Sequence, residues 1–265
     1  MRAELDGDQY ILNGSKIWTS DATICDYIFV LVRTSPDKPK HEGISLILVD
    51  MNQPGVKVSP IKLISGASPF CETHFDNAIA PATDLIGGVD RGWTVGKRLL
   101  QFERSTHAGI NISGSQGGRS EKSEMPSLVS KYVGRQDGQL ADSDLRQRLT
   151  QFEMNAHAQR ITQRRAIEEL QSRAPGFTSS AVKLTNALNI QEGDELLVAA
   201  MGPQGFRWDP ETADGEELAS LQKWLYQKSL TIAGGTKEVQ LSIIAKRCLL
   251  YTSPSPRDAD VSGVP

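Results

Sequence analysis

Gly234-Gly235-Thr236 stands directly before an apolar row, Val239, Ile243 and Ile244, at the spacing of one helix face. Two glycines let the backbone adopt positive φ or approach a ligand closely. Thr236 can cap the helix that the row predicts. A helix start that offers N–H groups behind glycines takes a phosphate or another anion. The same residues also make an ordinary glycine turn before a helix, and spacing alone does not separate the two. A second chemical residue is Glu103, in Phe102-Glu103-Arg104. It shares a helical face with Leu99 and Leu100, four and three residues earlier. A carboxylate held against apolar side chains is a stronger base than one in water, as proton abstraction requires. The alternative is a Glu-Arg pair on a solvated face. His41, His74, His107 and His157 are not at metal-ligand spacing, and neither are Cys25, Cys71 and Cys248, so no metal site is expected. His107 lies one helical turn from Glu103 and could bond it or be a plain polar neighbour; no histidine is assigned a catalytic role.

These residues need elements to hold them. Residues 1–85 read as strands. Gln9-Tyr-Ile-Leu leads to Asn13-Gly14, a hairpin signal, and then to Lys16-Ile-Trp-Thr. Tyr27-Ile-Phe-Val-Leu-Val-Arg and Gly43-Ile-Ser-Leu-Ile-Leu-Val-Asp are nearly continuous apolar strands. Pro54-Gly55 turns into Val56-Lys-Val-Ser, and His74-Phe75 opens a strand to Ile79. Past Gly87-Gly88 the period becomes helical: Val95, Leu99 and Phe102 share a face over 92–110. Ser113-Gly-Ser-Gln-Gly-Gly breaks the pattern, and Glu124-Met-Pro opens a second helix. Gly134 to Gly138 is a loop. A long helix through Leu145, Leu149, Phe152 and Ala156 follows. Further helices are expected over 179–200 and 217–233 and after Thr236. Strands first and helices after predict an α+β chain: an antiparallel barrel or sandwich over 1–87, a helical bundle over 88–248, and a disordered, non-native tail over 249–265.

Bulk properties narrow the function. The chain has 265 residues and a net charge of −3, which argues against a dedicated nucleic-acid binder. No apolar run is long enough to span a bilayer, and the start has no apolar signal core. Three cysteines without a signal suggest a reducing cytoplasm.

Gly234-Gly-Thr-Lys-Glu-Val-Gln-Leu-Ser-Ile-Ile-Ala-Lys-Arg247 resembles the C-terminal flavin-contacting signature of acyl-CoA dehydrogenases, Gly-Thr-x-Glu-Ile-Gln and an apolar helix. Asp6-Gly-Asp-Gln-Tyr-Ile-Leu-Asn-Gly-Ser-Lys-Ile-Trp-Thr-Ser20 is similar to the opening of that family's middle β domain. Phe75-Asp-Asn-Ala-Ile-Ala-Pro81 is similar to one of its later strands, and Gly92-Trp-Thr-Val95 to the entry of its C-terminal helical domain. The resemblance covers nearly all of residues 1–247. Ahead of it the family's N-terminal helical domain and a Glu-Pro-Gly-Ala-Gly-Ser-Asp-like strand are not found. Cys248-Leu-Leu-Tyr-Thr-Ser-Pro-Ser-Pro-Arg-Asp258 looks like a translated sequencing adapter, with a genuine disordered terminus as the alternative. Together these imply an N-terminally truncated piece of a longer, bacterial reading frame.

The resemblance implies roles. In the family's best-known branch a glutamate precedes Gly-Thr; here that position is Gly234. A second branch carries its glutamate earlier, as Glu-Arg on the first helix of the helical domain, with a small residue before Gly-Thr. Glu103-Arg104 with Gly234 matches it. The implied reaction is α,β-dehydrogenation of an acyl-CoA thioester, with Glu103 taking the α-proton and FAD the β-hydride at N5. Gly234 N–H polarises the thioester carbonyl, and Arg104 and Gly235 belong to the substrate site. Trp18, Thr19 and Ser20 match the flavin-contacting Trp-Thr-Ser turn; a tryptophan filling a barrel core is the alternative for Trp18. Thr236 and Glu238 match FAD-touching positions. Met201-Gly202, in Ala200-Met-Gly-Pro-Gln-Gly-Phe206, resembles a loop that meets the FAD of a neighbouring subunit. Around Arg119-Ser-Glu-Lys the family's Arg-x-x-Phe-Gly motif is not found. A homodimer or homotetramer, an electron-transferring flavoprotein as acceptor and a cytoplasmic location are implied, without nucleic acid or membrane insertion. A non-catalytic partner subunit and an acyl-CoA oxidase or flavin monooxygenase relative are the other functions compatible with these residues.

Overall fold

The structure, a computed structural model, describes residues 1–107, 123–172, 178–247 and 249. It divides into two compact units, the first within Met1–Phe102 and the second from Glu103 on.

The first unit is a seven-stranded sheet: β1 Arg2–Asp6, β2 Gln9–Ser20, β3 Tyr27–Arg33, β4 Ile44–Asp50, β5 Val56–Ile61, β6 Phe70–Pro81 and β7 Leu85–Ile86. Their order is β5-β6-β2-β1-β3-β4-β7. All neighbours are antiparallel except β1 and β3, which meet in parallel at Arg2 and Arg33. Alternation along β3 turns Val30 and Val32 inward. With Leu12, Ile47, Val49 and Phe75 they form the core on one face. Each such side chain contributes roughly 1.5–3 kcal/mol by leaving water.

Asn13-Gly14 is not a hairpin turn. Both residues lie inside β2, which pairs with β6 on either side of a register shift between Leu12 and Gly14. Gly14 takes φ +133°, and Asn13 bridges the strands instead of turning the chain. Its Nδ2 donates to Asn77 Oδ1 at 3.2 Å, and Asn77 N donates to Asn13 Oδ1 at 2.9 Å. The turn that starts β2 is Gly7-Asp8, with Asp6 opposite Gln9 and Gly7 at φ +61°. The left-handed first position is the one that tight two-residue hairpins favour. β1 escapes the sequence reading because it is short and mostly polar.

The first unit also holds the start of α1, Gly92–His107. Asp90 anchors the approach. Its carboxylate accepts from Thr34 Oγ1 at 2.9 Å, Ser35 Oγ at 2.8 Å and Lys38 Nζ at 2.7 Å. The Lys38 bond above all holds this carboxyl below its ordinary range. Asp90 N in turn donates to Ser45 Oγ at 2.9 Å. Gly92 then lies directly on β4: a Cβ there would sit 2.3–2.7 Å from Ser45 and Leu46 backbone atoms. Gly92→Ala should therefore destabilise the protein by at least the ~1–3 kcal/mol of an overpacked interior. The readout is a lower denaturant midpoint at unchanged m-value; an unchanged midpoint would mean that β4 yields without cost.

The second unit is helical. Its elements are α2 Met125–Val133, a hairpin of β8 Arg135–Gln136 and β9 Gln139–Leu140, α3 Ser143–Gln171, α4 Thr178–Met201, α5 Gly215–Gln227 and α6 Lys237–Arg247. Short 3₁₀ turns cover Gly202–Phe206 and Lys228–Thr231. α4 is the centre, in contact with α2, α3, α5 and α6. It buries Val182, Lys183, Ala187, Leu196 and Val198, among others, and leaves Thr185, Leu188, Glu195 and Ala199 exposed. Gly193 makes room for Phe152, whose ring would lie 2.9 Å from a Cβ. Val129, Leu140, Leu196 and Ala200 form the core there, with Leu145, Leu149 and Phe152 of α3 against it. The segment read as a loop at Gly134–Gly138 is the β8–β9 hairpin, turning on Asp137 and Gly138 at φ +52° and +76°. Arg119, the break at Ser113 and residues 250–265 lie outside the described residues. Among the described residues no helix is long and apolar enough to cross a membrane.

Candidate functional site

The Gly234-Gly235 loop is built from three sides. Leu230 and Thr231 close a 3₁₀ turn ahead of it. Gly234 and Gly235 then take φ +66° and +98°, where an L side chain is strained. Thr236 ends the loop as the cap of α6, its Oγ1 accepting from Val239 N at 3.3 Å. Glu238 follows in the first turn, and a bond from its own backbone N–H, followed by Thr236, holds its carboxyl below the ordinary range. Both loop carbonyls are tied inward. Gln240 Nε2 donates to Gly234 O at 2.8 Å, and Lys183 Nζ of α4 donates to Gly235 O at 2.6 Å and Leu230 O at 3.1 Å. Lys183 is 2% exposed and Gln240 fully buried. Burial pushes the Lys183 ammonium below the usual lysine range.

Lys183 and Gln240 are the residues that sequence reasoning missed at this loop. A signal for Lys183 was present: it is a lone lysine with apolar neighbours on both sides in Ala181-Val-Lys-Leu. Gln240 falls in the quoted signature but without a role of its own.

In the first unit, Trp18, Thr19 and Ser20 lie together at the end of β2. The register with β6 shifts between Ile17 and Thr19, and Trp18 occupies the bulge at φ +62°. Such a backbone in a non-glycine residue is a strained, locally costly state. The bulge turns the indole outward. It is 58% exposed and meets Phe70 edge-on at 6.0 Å, so Trp18 does not fill a core. Thr19 Oγ1 is already engaged, with Cys71 O at 2.9 Å and Thr73 Oγ1 at 2.8 Å. Ser20 is exposed.

Met201 and Gly202 stand at the far end of α4. Met201 is buried and packs on Gly205; Gly202, at φ +64°, is half-buried. From Lys183, which touches Gly235, to Met201 is 18 residues of one helix, about 27 Å at 1.5 Å per residue. The structure therefore groups Gly234, Gly235, Thr236 and Glu238 but keeps Met201-Gly202 away from them.

Glu103 is exposed on α1, which corrects the expectation of a buried carboxylate. Leu99 and Leu100, one turn earlier in the sequence, are 39% and 37% exposed. In the first unit these leucines, with Ile17, Phe29, Leu31 and Trp93, line an apolar groove of about 250 Å³. The side chain of Arg104 lies outside the described residues. Among the described residues there is no cluster of His, Cys, Asp or Glu able to hold a metal.

The family model of the acyl-CoA dehydrogenase middle domain matches residues 1–78, and that of the acyl-CoA dehydrogenase C-terminal domain matches residues 90–249. The chain belongs to the acyl-CoA dehydrogenase family. It is 34% identical to acyl-CoA dehydrogenase IpdE1 of Mycobacterium tuberculosis over 247 residues, 93% of this chain and 61% of that protein. It is 32% identical to acyl-CoA dehydrogenase FadE34 of the same organism, over 91% of this chain and 31% of the relative. The chain thus spans less than two thirds of the length of these curated relatives. Among solved structures, the Tcur3481-Tcur3483 steroid ACAD superposes with a TM-score of 0.79 at 27% identity, covering 96% of this chain and 64% of that one. The bulge at Trp18 and the loop at Gly234 fall in the two matched domains, one in each.

Proposed function

We propose that this chain carries the flavin- and thioester-facing parts of an FAD-dependent acyl-CoA dehydrogenase. The observation that carries the reading is the Gly234-Gly235-Thr236 loop. It is a left-handed glycine pair, anchored from below by buried side chains, at the N-terminus of an 11-residue helix. Donors at such a terminus suit a polar or anionic ligand group.

The residues present fit a flavin. Trp18 offers an exposed aromatic face with Ser20 beside it, and Thr236 and Glu238 frame a helix start. Trp18 and Ser20 in the first unit, and Thr236 and Glu238 in the second, are each of the type that would contact FAD. When bound, FAD would supply the acceptor for the hydride that leaves the β-carbon of the acyl chain. Glu103 accepts the α-proton on its carboxylate. The N–H of Gly234 donates to the thioester oxygen and stabilises the charge that develops there. Arg104 and Gly235 belong to the same thioester site. Met201-Gly202, some 27 Å along α4 from Lys183, serves the site of a second subunit, so the protein works as a homodimer or homotetramer. An electron-transferring flavoprotein takes the electrons, in a bacterial cytoplasm. On this reading the β domain spans 1–87, the helical domain 88–248 and the tail 249–265.

A non-catalytic partner subunit is the second reading. It is favoured by the absence of the Arg-x-x-Phe-Gly motif around Arg119. The test is to express the complete reading frame and assay acyl-CoAs with an artificial electron acceptor. Acyl-CoA-dependent reduction, with about one FAD per chain, is expected. Bound FAD with no turnover until another subunit is supplied would favour the partner reading. Turnover that consumes oxygen would point to an oxidase, and absence of both flavin and turnover would sink the proposal.

A further inference from the structure

We propose that Lys183 and Gln240 are positioning residues that aim the loop's amide donors at the ligand and set a positive charge behind it. This deepens the flavin and thioester reading and rests on it. A trans peptide is planar, with its carbonyl and the following N–H on opposite edges. Gly234 O is bonded inward by Gln240 Nε2, and Gly235 O by Lys183 Nζ. The N–H of Gly235 therefore faces away from Gln240, and the N–H of Thr236 away from Lys183. Two consecutive amides turned from the buried side chains can serve as donors for an electron-rich oxygen or nitrogen.

The choice of a lysine is informative. Gln240 shows that a neutral side chain suffices to tie down a loop carbonyl. Lys183 does the same for Gly235 with a full charge, 2% exposed. Among the described residues it meets two carbonyls and no carboxylate. Burying an ammonium without a counter-charge is costly. In return, the charge adds to the positive end of α6 from directly behind the loop, so a ligand that gains negative charge there is stabilised more than a neutral one. A Cβ at Gly235 would lie 2.7 Å from Gln240 Nε2, which keeps the clamp against a bare backbone.

The test compares Lys183→Met, which keeps the aliphatic stem and removes the charge and both bonds, with Val182→Ala. Val182 is the fully buried neighbour on α4, and its truncation loosens the helix without touching the loop. In the ligand-free protein, amide hydrogen exchange at Val239 and Gln240, whose N–H groups donate to Thr236 Oγ1 and Thr236 O at the mouth of the loop, should be at least ~10-fold faster in Lys183→Met than in Val182→Ala, after correction for global stability. That factor corresponds to losing one or two hydrogen bonds of about 1 kcal/mol. In the flavin-loaded protein, Lys183→Met should weaken FAD binding at least ~10-fold and move the flavin midpoint potential to more negative values, because the charge favouring the reduced form is gone. Val182→Ala should leave the potential unchanged. Equal exchange in the two variants, or equal potentials, would overturn the positioning role. A wild-type protein that binds no FAD would refute the flavin reading, with the exchange comparison still deciding the clamp. Should Lys183→Met not fold, Gln240→Leu, which releases Gly234 O, is read in the same way by exchange.

Discussion

Glu103→Gln, in the protein expressed from its complete reading frame, is expected to keep its flavin and bind acyl-CoA but lose ~10²–10⁴-fold in turnover, the usual contribution of a general base. The amide has the shape of the carboxylate and cannot take the α-proton. Because that proton moves only in the transition state, kcat and kcat/KM should fall together. Glu103 is exposed on α1, and exposed substitutions usually change stability by no more than ~0.5 kcal/mol. A large loss of rate with an unchanged melting temperature therefore separates a base from a structural residue. Turnover near wild type would make Glu103 one more solvated helix residue and remove the mechanism.

The sequence made some parts of this structure legible because their signals are local. Apolar runs at Tyr27–Arg33 and Ile44–Asp50 predict β3 and β4. The period through Leu145, Leu149 and Phe152 predicts α3, and Thr236 before Val239 predicts the cap that Thr236 makes. Pairing is another matter. Asn13-Gly14 has the local chemistry of a hairpin, yet the partner is Asn77, 64 residues away. Only the sheet decides that β2 continues through it. The parallel contact between β1 and β3 has no local signature either, since alternation reports which face is buried and not which strand lies alongside. At the candidate site, residue types were readable and their exposure was not. Trp18 is outside the core because of a bulge that no pattern in Lys16-Ile-Trp-Thr announces. Glu103 has its leucines at the right spacing, but spacing places a neighbour without covering it. Lys183 shows the reverse: charge marks a residue as a surface candidate, and the fold buries it because two carbonyls wait there.

The relation between Glu103 and Gly234 gives the second large effect. If the two branches of the family reach one α-proton from two places, a carboxylate at Gly234 should take over part of the work of Glu103. Glu103→Gln combined with Gly234→Glu is expected to turn over faster than Glu103→Gln alone and slower than wild type. Recovery is incomplete for a structural reason. Gly234 sits at φ +66°, where an L residue costs roughly 1–2 kcal/mol, about a tenfold loss if the strain falls on the active conformation. The inward bond from Gln240 to Gly234 O resists relief by rotation of that peptide. Glu103→Gln with Gly234→Ala is the control, since alanine brings the same left-handed strain without a carboxylate. It should be no faster than Glu103→Gln. If the glutamate double mutant is equally slow, Gly234 is not the second approach to the α-proton, and Glu103 stands as the base on its own single-mutant result. If the alanine double mutant recovers as much as the glutamate one, the gain comes from reshaping the loop, and the case for a relocated carboxylate is lost.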